Sequence, residues 1–147
     1  MKKLTTILIL TPMLALAGAP TGAPVGAERH LIAAVIIAEA GGECREGIEA
    51  VWEVIHNRTQ QRKRGYTSVV TRRKQFSCLN NTTTTSLKRR MSQHTFYLWV
   101  YHVLLSTTPK TNHTGGANHY HATRVSPKWA KGQKQTRIGR HRFYKIK

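Results

Sequence analysis

The apolar positions of this chain fall into three segments that predict helices. Residues Leu31 to Ala38 are apolar without interruption, which is typical of a helix buried on all sides, and we predict this helix from His30 to Glu39. A second helix is predicted from Arg45 to Arg58, because its apolar residues recur at i, i+3, i+4 and i+7. A third helix is predicted over residues 87–106, with Pro109 beyond its end.

The pattern outside these helices is less regular. Residues 59–86 are mostly basic or polar loop, in which the segment Ser68-Val69-Val70 is expected to start a short helix. Residues 114–129 are rich in turn-forming and aromatic residues, and residues 136–147 alternate as in a β-strand. We therefore predict an α+β fold that is mainly helical, with a small β element near the C-terminus.

The N-terminal segment has a pattern of its own. Two lysines precede an apolar run from Leu4 to Leu16, and small residues follow, as in a secretory signal. Ala17 and Ala27 are the two candidates for the last residue of that signal. We predict a signal peptide and linker over residues 1–27, one domain over residues 28–147, and a secreted or periplasmic, wall-associated protein. An uncleaved membrane anchor is the alternative.

The charge of the chain points to a polyanionic partner. There are 24 Lys and Arg residues against six acidic ones, which gives a formal net charge of +18. All six acids are Glu, and all lie between residues 28 and 53. Export favours a bacterial cell wall, with its peptide carboxylates and anionic polymers, over nucleic acid. The absence of Asp, which nucleases commonly use to bind metal, also disfavours a nuclease.

Two of these carboxylates have contrasting surroundings. Glu39 ends an apolar helix, where desolvation and the negative end of the helix dipole both favour its neutral, proton-donating form. Glu43 begins the next helix, where the dipole favours its ionised form. Such a pair suits acid and base roles, although Glu39 could also be just the first exposed residue after a buried helix. Glu46, Glu49 and Glu53 are expected to form a solvated face of the second helix.

The cysteines and histidines suggest no metal or cofactor. Cys44 and Cys78 would form a disulfide in an oxidising compartment, with two buried free thiols as the alternative. His119 and His121 have the spacing of a strand pair, but no third zinc ligand is identifiable. We therefore expect no metal and no cofactor.

Four segments of the sequence resemble a known family, in that family's order. They are IAEAGGECREGIEAVWEVIHNR, which ends at Arg58, KQFSCLN (74–80), TGGANHYHATRVSPKW (114–129) and TRIGRHRFYK (136–145). Together they resemble the SleB-type cell-wall hydrolases, the spore-cortex-lytic family, whose catalytic domain has a lysozyme-like fold. The resemblance implies that the first Glu of the first segment, Glu39, is the catalytic acid. The motif EAGG also resembles the Glu-Ser-Gly-Gly of related transglycosylase-like domains, which again points to Glu39.

The resemblance also implies a sugar-binding cleft built from the later segments. Aromatic rings there would stack on sugar rings, polar side chains would bind hydroxyl and acetamide groups, and glycine would let the backbone approach the glycan. For Trp129, packing in the core is the alternative. Many relatives have an acid before the Gly-Ala of the third segment, and TNHTGGA has none. The residues expected to bind substrate are Gln75, Phe76, Gly116, Ala117, Tyr120, His121, Trp129 and His141.

These observations predict an exported, monomeric enzyme that cleaves the MurNAc–GlcNAc bond of peptidoglycan. A two-carboxylate glycosidase needs a second carboxylate roughly 5 to 9 Å from the acid, across the scissile bond. No side-chain carboxylate follows Glu53, so only Glu43 is a near candidate. A lytic transglycosylase, which leaves 1,6-anhydromuramic ends, is therefore expected. A hydrolytic muramidase, a secreted cationic nucleic-acid-binding protein and a non-catalytic wall-binding module are the alternatives.

Overall fold

The structure, a computed structural model, describes residues 22–147, and the predicted signal peptide lies almost entirely outside this part of the chain. The described residues form five α-helices and a three-stranded antiparallel sheet, which confirms the predicted mainly helical α+β class. The helices are α1 (Gly26–Ala40), α2 (Arg45–Arg62), α3 (Tyr66–Val70), α4 (Thr84–Met91) and α5 (Tyr97–His102). The strands are β1 (His119–Ala122), β2 (Gln135–Ile138) and β3 (His141–Tyr144), in the spatial order β1-β3-β2.

Helix α1 is the centre of the helical part. Its residues 31–37 are buried all round, as the uninterrupted apolar segment predicted, and α2, α3, α4 and α5 all pack against it. A helix without a polar face gains stability only when other elements cover every side, so the arrangement of the four surrounding helices follows from this sequence. The polar C-terminal end of α1 is left at the edge of the core, and it carries Glu39.

Helix α2 is longer and less exposed than predicted. It continues to Arg62, and Lys63 ends it in the left-handed conformation. The prediction that Glu53 faces solvent was wrong: its side chain is buried, because the loop at residues 111–114 folds over it. Both carboxylate oxygens accept hydrogen bonds from that loop, from the backbone N–H groups of His113 and Thr114 and the hydroxyls of Thr111 and Thr114, at 2.7–3.0 Å.

The predicted third helix is interrupted. In place of one helix over 87–106, the structure has α4, α5 and a short 3₁₀ turn at Leu104–Ser106. Between α4 and α5 the ring of His94 accepts a hydrogen bond from the backbone N–H of Phe96 at 3.2 Å. A side chain that takes over a backbone donor in this way competes with the helical pattern, which explains the break.

The C-terminal strand pattern proves to be a hairpin. Strands β2 and β3 pair with Ile138 opposite His141, so Gly139 and Arg140 form a two-residue turn. Gly139 has a φ of +54°, which suits glycine, and its Cβ position is already occupied by the carboxylate of Glu43. The other side of β3 pairs with β1, which brings the third and fourth family-like segments together.

Residues 22–27, predicted as linker, are held to the helices by hydrogen bonds. Pro24 is buried and its carbonyl accepts a hydrogen bond from Arg29 Nε at 2.8 Å. The carbonyl of Gly22 accepts one from the hydroxyl of Tyr66 at 3.1 Å, and α1 already begins at Gly26. Within residues 22–147 no helix combines the length and apolar character needed to cross a membrane.

Candidate active site

Glu39 lies at the last turn of α1, where the helix must stop. A Cβ on Gly41 would lie 2.6 Å from the carbonyl oxygen of Ile37 and 3.0 Å from Nε2 of His94, so only glycine fits there. Gly41 itself has ordinary right-handed backbone angles, which means that close packing and not a left-handed turn requires the glycine. The end of α1 therefore packs closely against the α4–α5 connection. This packing fixes the backbone that carries the half-buried side chain of Glu39.

Neutral donors hold the Glu39 carboxyl group. The hydroxyl of Tyr120 donates to Oε2 at 2.8 Å, across 81 residues of sequence. The backbone N–H of Cys78 and the hydroxyl of Ser77 approach Oε1 at 3.3 and 3.4 Å. No Lys or Arg forms an ion pair with this carboxyl within residues 22–147. Neutral donors thus fix the position of this carboxyl group.

Tyr120 is supported from beneath by aromatic and cationic groups. Its ring stacks on Phe143 with the centroids 5.6 Å apart, and the guanidinium of Arg58 lies 6.0 Å from its centroid. Burial, and then the neighbouring Glu39, raise the pKa of Tyr120 well above its usual value, so the hydroxyl stays a donor at every physiological pH. Burial lowers the pKa of Arg58 to about 10, which still leaves it charged, and its Nε donates to the carbonyl of Asn118 at 2.6 Å.

Two adjoining cavities flank Glu39. The smaller, of about 270 Å³, is lined by the α1–α2 connection and the β2–β3 turn. The larger, of about 480 Å³, extends toward Gln75 and Ser77 on one side and His121 on the other. Four residues line both cavities: Glu39, Ala122, Arg124 and His141. The two therefore form one open cleft with the Glu39 carboxyl near its middle, a shape that suits an extended chain better than a compact ligand.

Glu43 lines the smaller cavity but is committed to the hairpin. Its Oε1 accepts from Nε of Arg140 at 2.9 Å, and its Oε2 accepts from the Arg140 backbone N–H at 3.0 Å. Burial alone would raise the pKa of Glu43, but these hydrogen bonds and the nearby positive charge outweigh it and leave the pKa below its usual value. Glu43 is thus an ionised anchor for the β2–β3 turn, in agreement with the expected ionised state.

His141 lies between these two carboxylates. It borders both cavities, and its ring stands edge-on to Tyr120 with the centroids 5.4 Å apart. Its buried Nδ1 is 3.9 Å from Oε1 of Glu43 and has no hydrogen-bond partner. Burial lowers the pKa of His141, so the ring is neutral at pH 7. His141 lines both cavities of the cleft, and its contact with substrate stays a prediction.

The comparisons with known proteins agree with this geometry. Residues 42–144 match the model of a family described as Cell Wall Hydrolase. The chain belongs to the cell wall hydrolase family. In fold it is similar to the catalytic domain of the Bacillus cereus SleB protein, with a TM-score of 0.55 and 22% sequence identity over 84% of this chain and 95% of that one. No curated protein matches it significantly. Family membership confirms the resemblance and supports a peptidoglycan-cleaving activity; Glu39 lies three residues before the matched segment.

Of the other residues predicted to bind substrate, some line the cleft and others lie outside it. Gln75 and His121 line the larger cavity together with Tyr120. Phe76 is only 2% exposed and packs under Arg58, so it supports the cleft from the core. Gly116 and Ala117 are not among the residues that line either cavity; Ala117 is fully buried and its carbonyl accepts from Asn57.

Trp129 is also outside the cleft lining. The residue is 43% exposed, which disfavours ordinary core packing, and its ring stands against those of His119, His121 and Tyr144 with centroids 5.2–5.7 Å apart. Together these rings form an aromatic cluster behind β1, next to the larger cavity. His119 and His121 are thus occupied by ring contacts, and residues 22–147 contain no group of three His, Cys or acidic side chains that could hold a metal.

The cysteines are not paired in the structure, contrary to the expected disulfide. Cys44 is exposed at the start of α2, whereas Cys78 is half-buried in the loop that donates to Glu39. Burial, and then the charge of Glu39, raise the pKa of Cys78 well above its usual value, so the thiol stays neutral and unreactive.

Sequence reasoning missed several residues of the site. Arg58 supports Tyr120, Arg124 lines both cavities and Arg140 binds Glu43. For Arg58 a signal existed, since it closes the first family-like segment. No local pattern distinguishes Arg124 or Arg140 from the many other basic residues, because their role depends on contacts with residues some 80 to 100 positions away.

The contact between Glu43 and Arg140 gives a pH-dependent prediction. Glu43→Gln is expected to lower the free energy of unfolding by about 1 kcal/mol at pH 7, because the amide loses the charge-assisted hydrogen bonds. The folded-state pKa of Glu43 lies below its unfolded value, so this stabilisation is complete above the unfolded pKa of about 4.5 and is lost as the pH falls through the folded pKa. Urea unfolding at pH 7 and pH 3 measures both values.

The matched control is Glu46→Gln, since Glu46 lies three residues further along, in the first turn of α2, with 56% of its side chain exposed. It should change the unfolding midpoint little at pH 7. A Glu43→Gln deficit that is as large at pH 3 as at pH 7 would show that the effect comes from packing and not from the ionised carboxylate.

Proposed function

We propose that this protein is an exported lytic transglycosylase that cleaves the bond between N-acetylmuramic acid and N-acetylglucosamine. The observation that carries the proposal is the isolation of Glu39. Within residues 22–147, the two cavities of the cleft contain two side-chain carboxylates, Glu39 and Glu43, and both oxygens of Glu43 are taken by Arg140. One carboxyl group without an ion pair suits a mechanism in which the same group acts first as the acid and then as the base.

In the first step Glu39 acts as the general acid. Its proton passes to the glycosidic oxygen, the bond from that oxygen to C1 of muramic acid breaks, and positive charge develops on the sugar ring. Tyr120 and the backbone N–H of Cys78 fix the two carboxyl oxygens and stabilise the carboxylate that this step leaves behind. The leaving sugar takes the proton and departs with a free 4-hydroxyl group.

The second step needs a nucleophile for C1. Glu43 is bound to Arg140, and Glu53 is buried under four hydrogen bonds from the loop at residues 111–114, so neither is free to activate water. The 6-hydroxyl of the same muramic acid can attack C1 while the Glu39 carboxylate takes its proton. The products are a 1,6-anhydromuramic end and a protonated Glu39, with no water consumed.

The first prediction concerns the acid itself. Glu39→Gln is expected to reduce the lysis of purified peptidoglycan at least 1,000-fold, a loss at the scale of general acid catalysis, because the amide keeps the shape but has no acidic proton. Turbidity of a peptidoglycan suspension measures the rate, and Glu46→Gln is the control for loss of an exposed carboxylate. A Glu39→Gln variant that is folded by circular dichroism and lyses at the normal rate would refute the assignment.

The second prediction concerns the products. Digestion in H₂¹⁸O is expected to give muropeptides with anhydro ends, which are lighter by one water and contain no ¹⁸O, because the nucleophile comes from the substrate. A hydrolytic muramidase would instead place one ¹⁸O at each new reducing end. Mass spectrometry distinguishes the two, and ¹⁸O-labelled ends would return Glu43 to consideration as the base.

Export is part of the proposal and rests on the pattern of residues 1–17. A cut after Ala27 would remove the first two residues of α1 and the buried Pro24, whereas a cut after Ala17 would keep all the residues that the structure describes. We therefore expect the exported protein to begin at Gly18. Intact mass of the protein recovered outside the cell tests this, and a product that begins at Glu28, or one that retains Met1, would contradict it.

A further inference from the structure

We propose a second binding site beside the cleft, in which Lys128, Lys131 and Arg142 bind a carboxylate of the peptide attached to muramic acid. The inference rests on the proposed function, since it names the part of the same substrate that this site takes. It would make the enzyme selective for glycan strands that carry peptides over strands from which the peptides have been removed.

The site is a separate cavity of about 410 Å³ between the sheet and the loop at residues 126–133. His121 lines this cavity and also the larger cavity of the cleft that contains Glu39. The two spaces are therefore neighbours on either side of one side chain. A branch of a ligand bound in the cleft can reach the second cavity past His121.

The charge of this cavity is uncompensated. Lys128 and Lys131 are exposed, Arg142 is half-buried, and none of the three forms an ion pair with a carboxylate of residues 22–147. No acidic side chain follows Glu53 in the sequence, so the C-terminal segments that build the cavity supply none. Three cations around one concave space attract an anion, and their mutual repulsion falls when it binds.

The wall of the cavity is held in a fixed shape. Nε2 of His121 and the hydroxyl of Tyr144 are 2.8 Å apart, and their rings stack with the centroids 5.3 Å apart. The hydroxyl of Tyr144 also donates to Oε1 of Gln135 at 3.1 Å, and the ring of Trp129 stands edge-on to Tyr144. A site that is already ordered loses little side-chain entropy when a ligand binds.

The chemistry of the cavity matches a peptide. Besides the cations, it contains the side-chain amide of Gln133 and the hydroxyl of Ser126, which can pair with peptide N–H and C=O groups. In peptidoglycan the peptide branches from muramic acid, the sugar whose C1 must lie at Glu39. A carboxylate that arrives next to the cleft on the bound strand is thus most simply a carboxylate of that peptide.

The test uses the full chain with Glu39→Gln, so that ligands are bound but not cleaved. Isothermal titration compares the disaccharide GlcNAc–MurNAc with the same disaccharide carrying a tripeptide that ends in a free carboxylate. We expect the tripeptide form to bind at least fivefold more tightly at low salt, with the difference shrinking as salt screens the exposed charges. Adding Lys128→Gln and Lys131→Gln should remove most of that difference and leave binding of the bare disaccharide unchanged.

The matched control adds Arg64→Gln and Arg89→Gln, which remove the same number of charges from exposed positions that border none of the three cavities. It should keep the fivefold difference. Equal binding of the two disaccharides, or an equal loss in both double variants, would overturn the peptide site and leave the glycan activity standing. Failure of both disaccharides to bind would overturn the proposed function with it. Competition by a glycerol phosphate oligomer as strong as that by the free tripeptide would identify a phosphate site and refute the inference.

Discussion

The hydrogen-bonded ion pair between Glu43 and Arg140 joins the two parts of this molecule that form the cleft. It fixes the β2–β3 turn to the connection between α1 and α2, and Gly139 leaves the space that the carboxylate needs. The contact belongs to a wider pattern. Every acidic side chain lies in α1, α2 or their connection, and the charged side chains of the C-terminal half are all basic. Glu53 binds the loop at residues 111–114 through hydrogen bonds from neutral donors. The carboxylates of the first two helices thus organise the segments that follow.

Glu39 is held differently from Glu43, the other carboxylate of the cleft. A carboxylate bound to arginine is held ionised, as the lowered pKa of Glu43 shows, and such a group is a poor proton donor. Glu39 instead accepts from a phenol, a backbone amide and a more distant hydroxyl. The nearest buried cation, Arg58, directs its Nε to the carbonyl of Asn118 and lies against aromatic rings. The site therefore holds the Glu39 carboxyl group through neutral donors and without an ion pair to Lys or Arg within residues 22–147.

How well a feature could be predicted from the sequence depended on how far apart its interacting residues lie along the chain. Helix α1 was predictable because a run of apolar residues indicates a buried helix without knowledge of its neighbours, and Glu39 was predicted as the catalytic acid from a short motif at its end. The burial of Glu53 was not predictable, since on a helical pattern it falls among polar residues, and only a loop 60 positions later covers it. The unpaired state of the two cysteines and the burial of Phe76 depend in the same way on contacts between segments that are distant in sequence. The break between α4 and α5 depends on one local side chain, His94, whose competition with the backbone is visible only in three dimensions.

The imbalance of charge connects this architecture with the substrate. The few carboxylates are concentrated in the first two helices and their connection, and several are used in internal contacts. Most of the Lys and Arg side chains within residues 22–147 therefore form no ion pair with a carboxylate of that part of the chain. Long-range attraction brings such a surface to any polyanion, and salt weakens that attraction without regard to the ligand's structure. Selectivity must then come from places where cations meet a defined shape. The cleft around Glu39 and the cavity beyond His121 are two such places, and their shared side chain allows one branched ligand to occupy both.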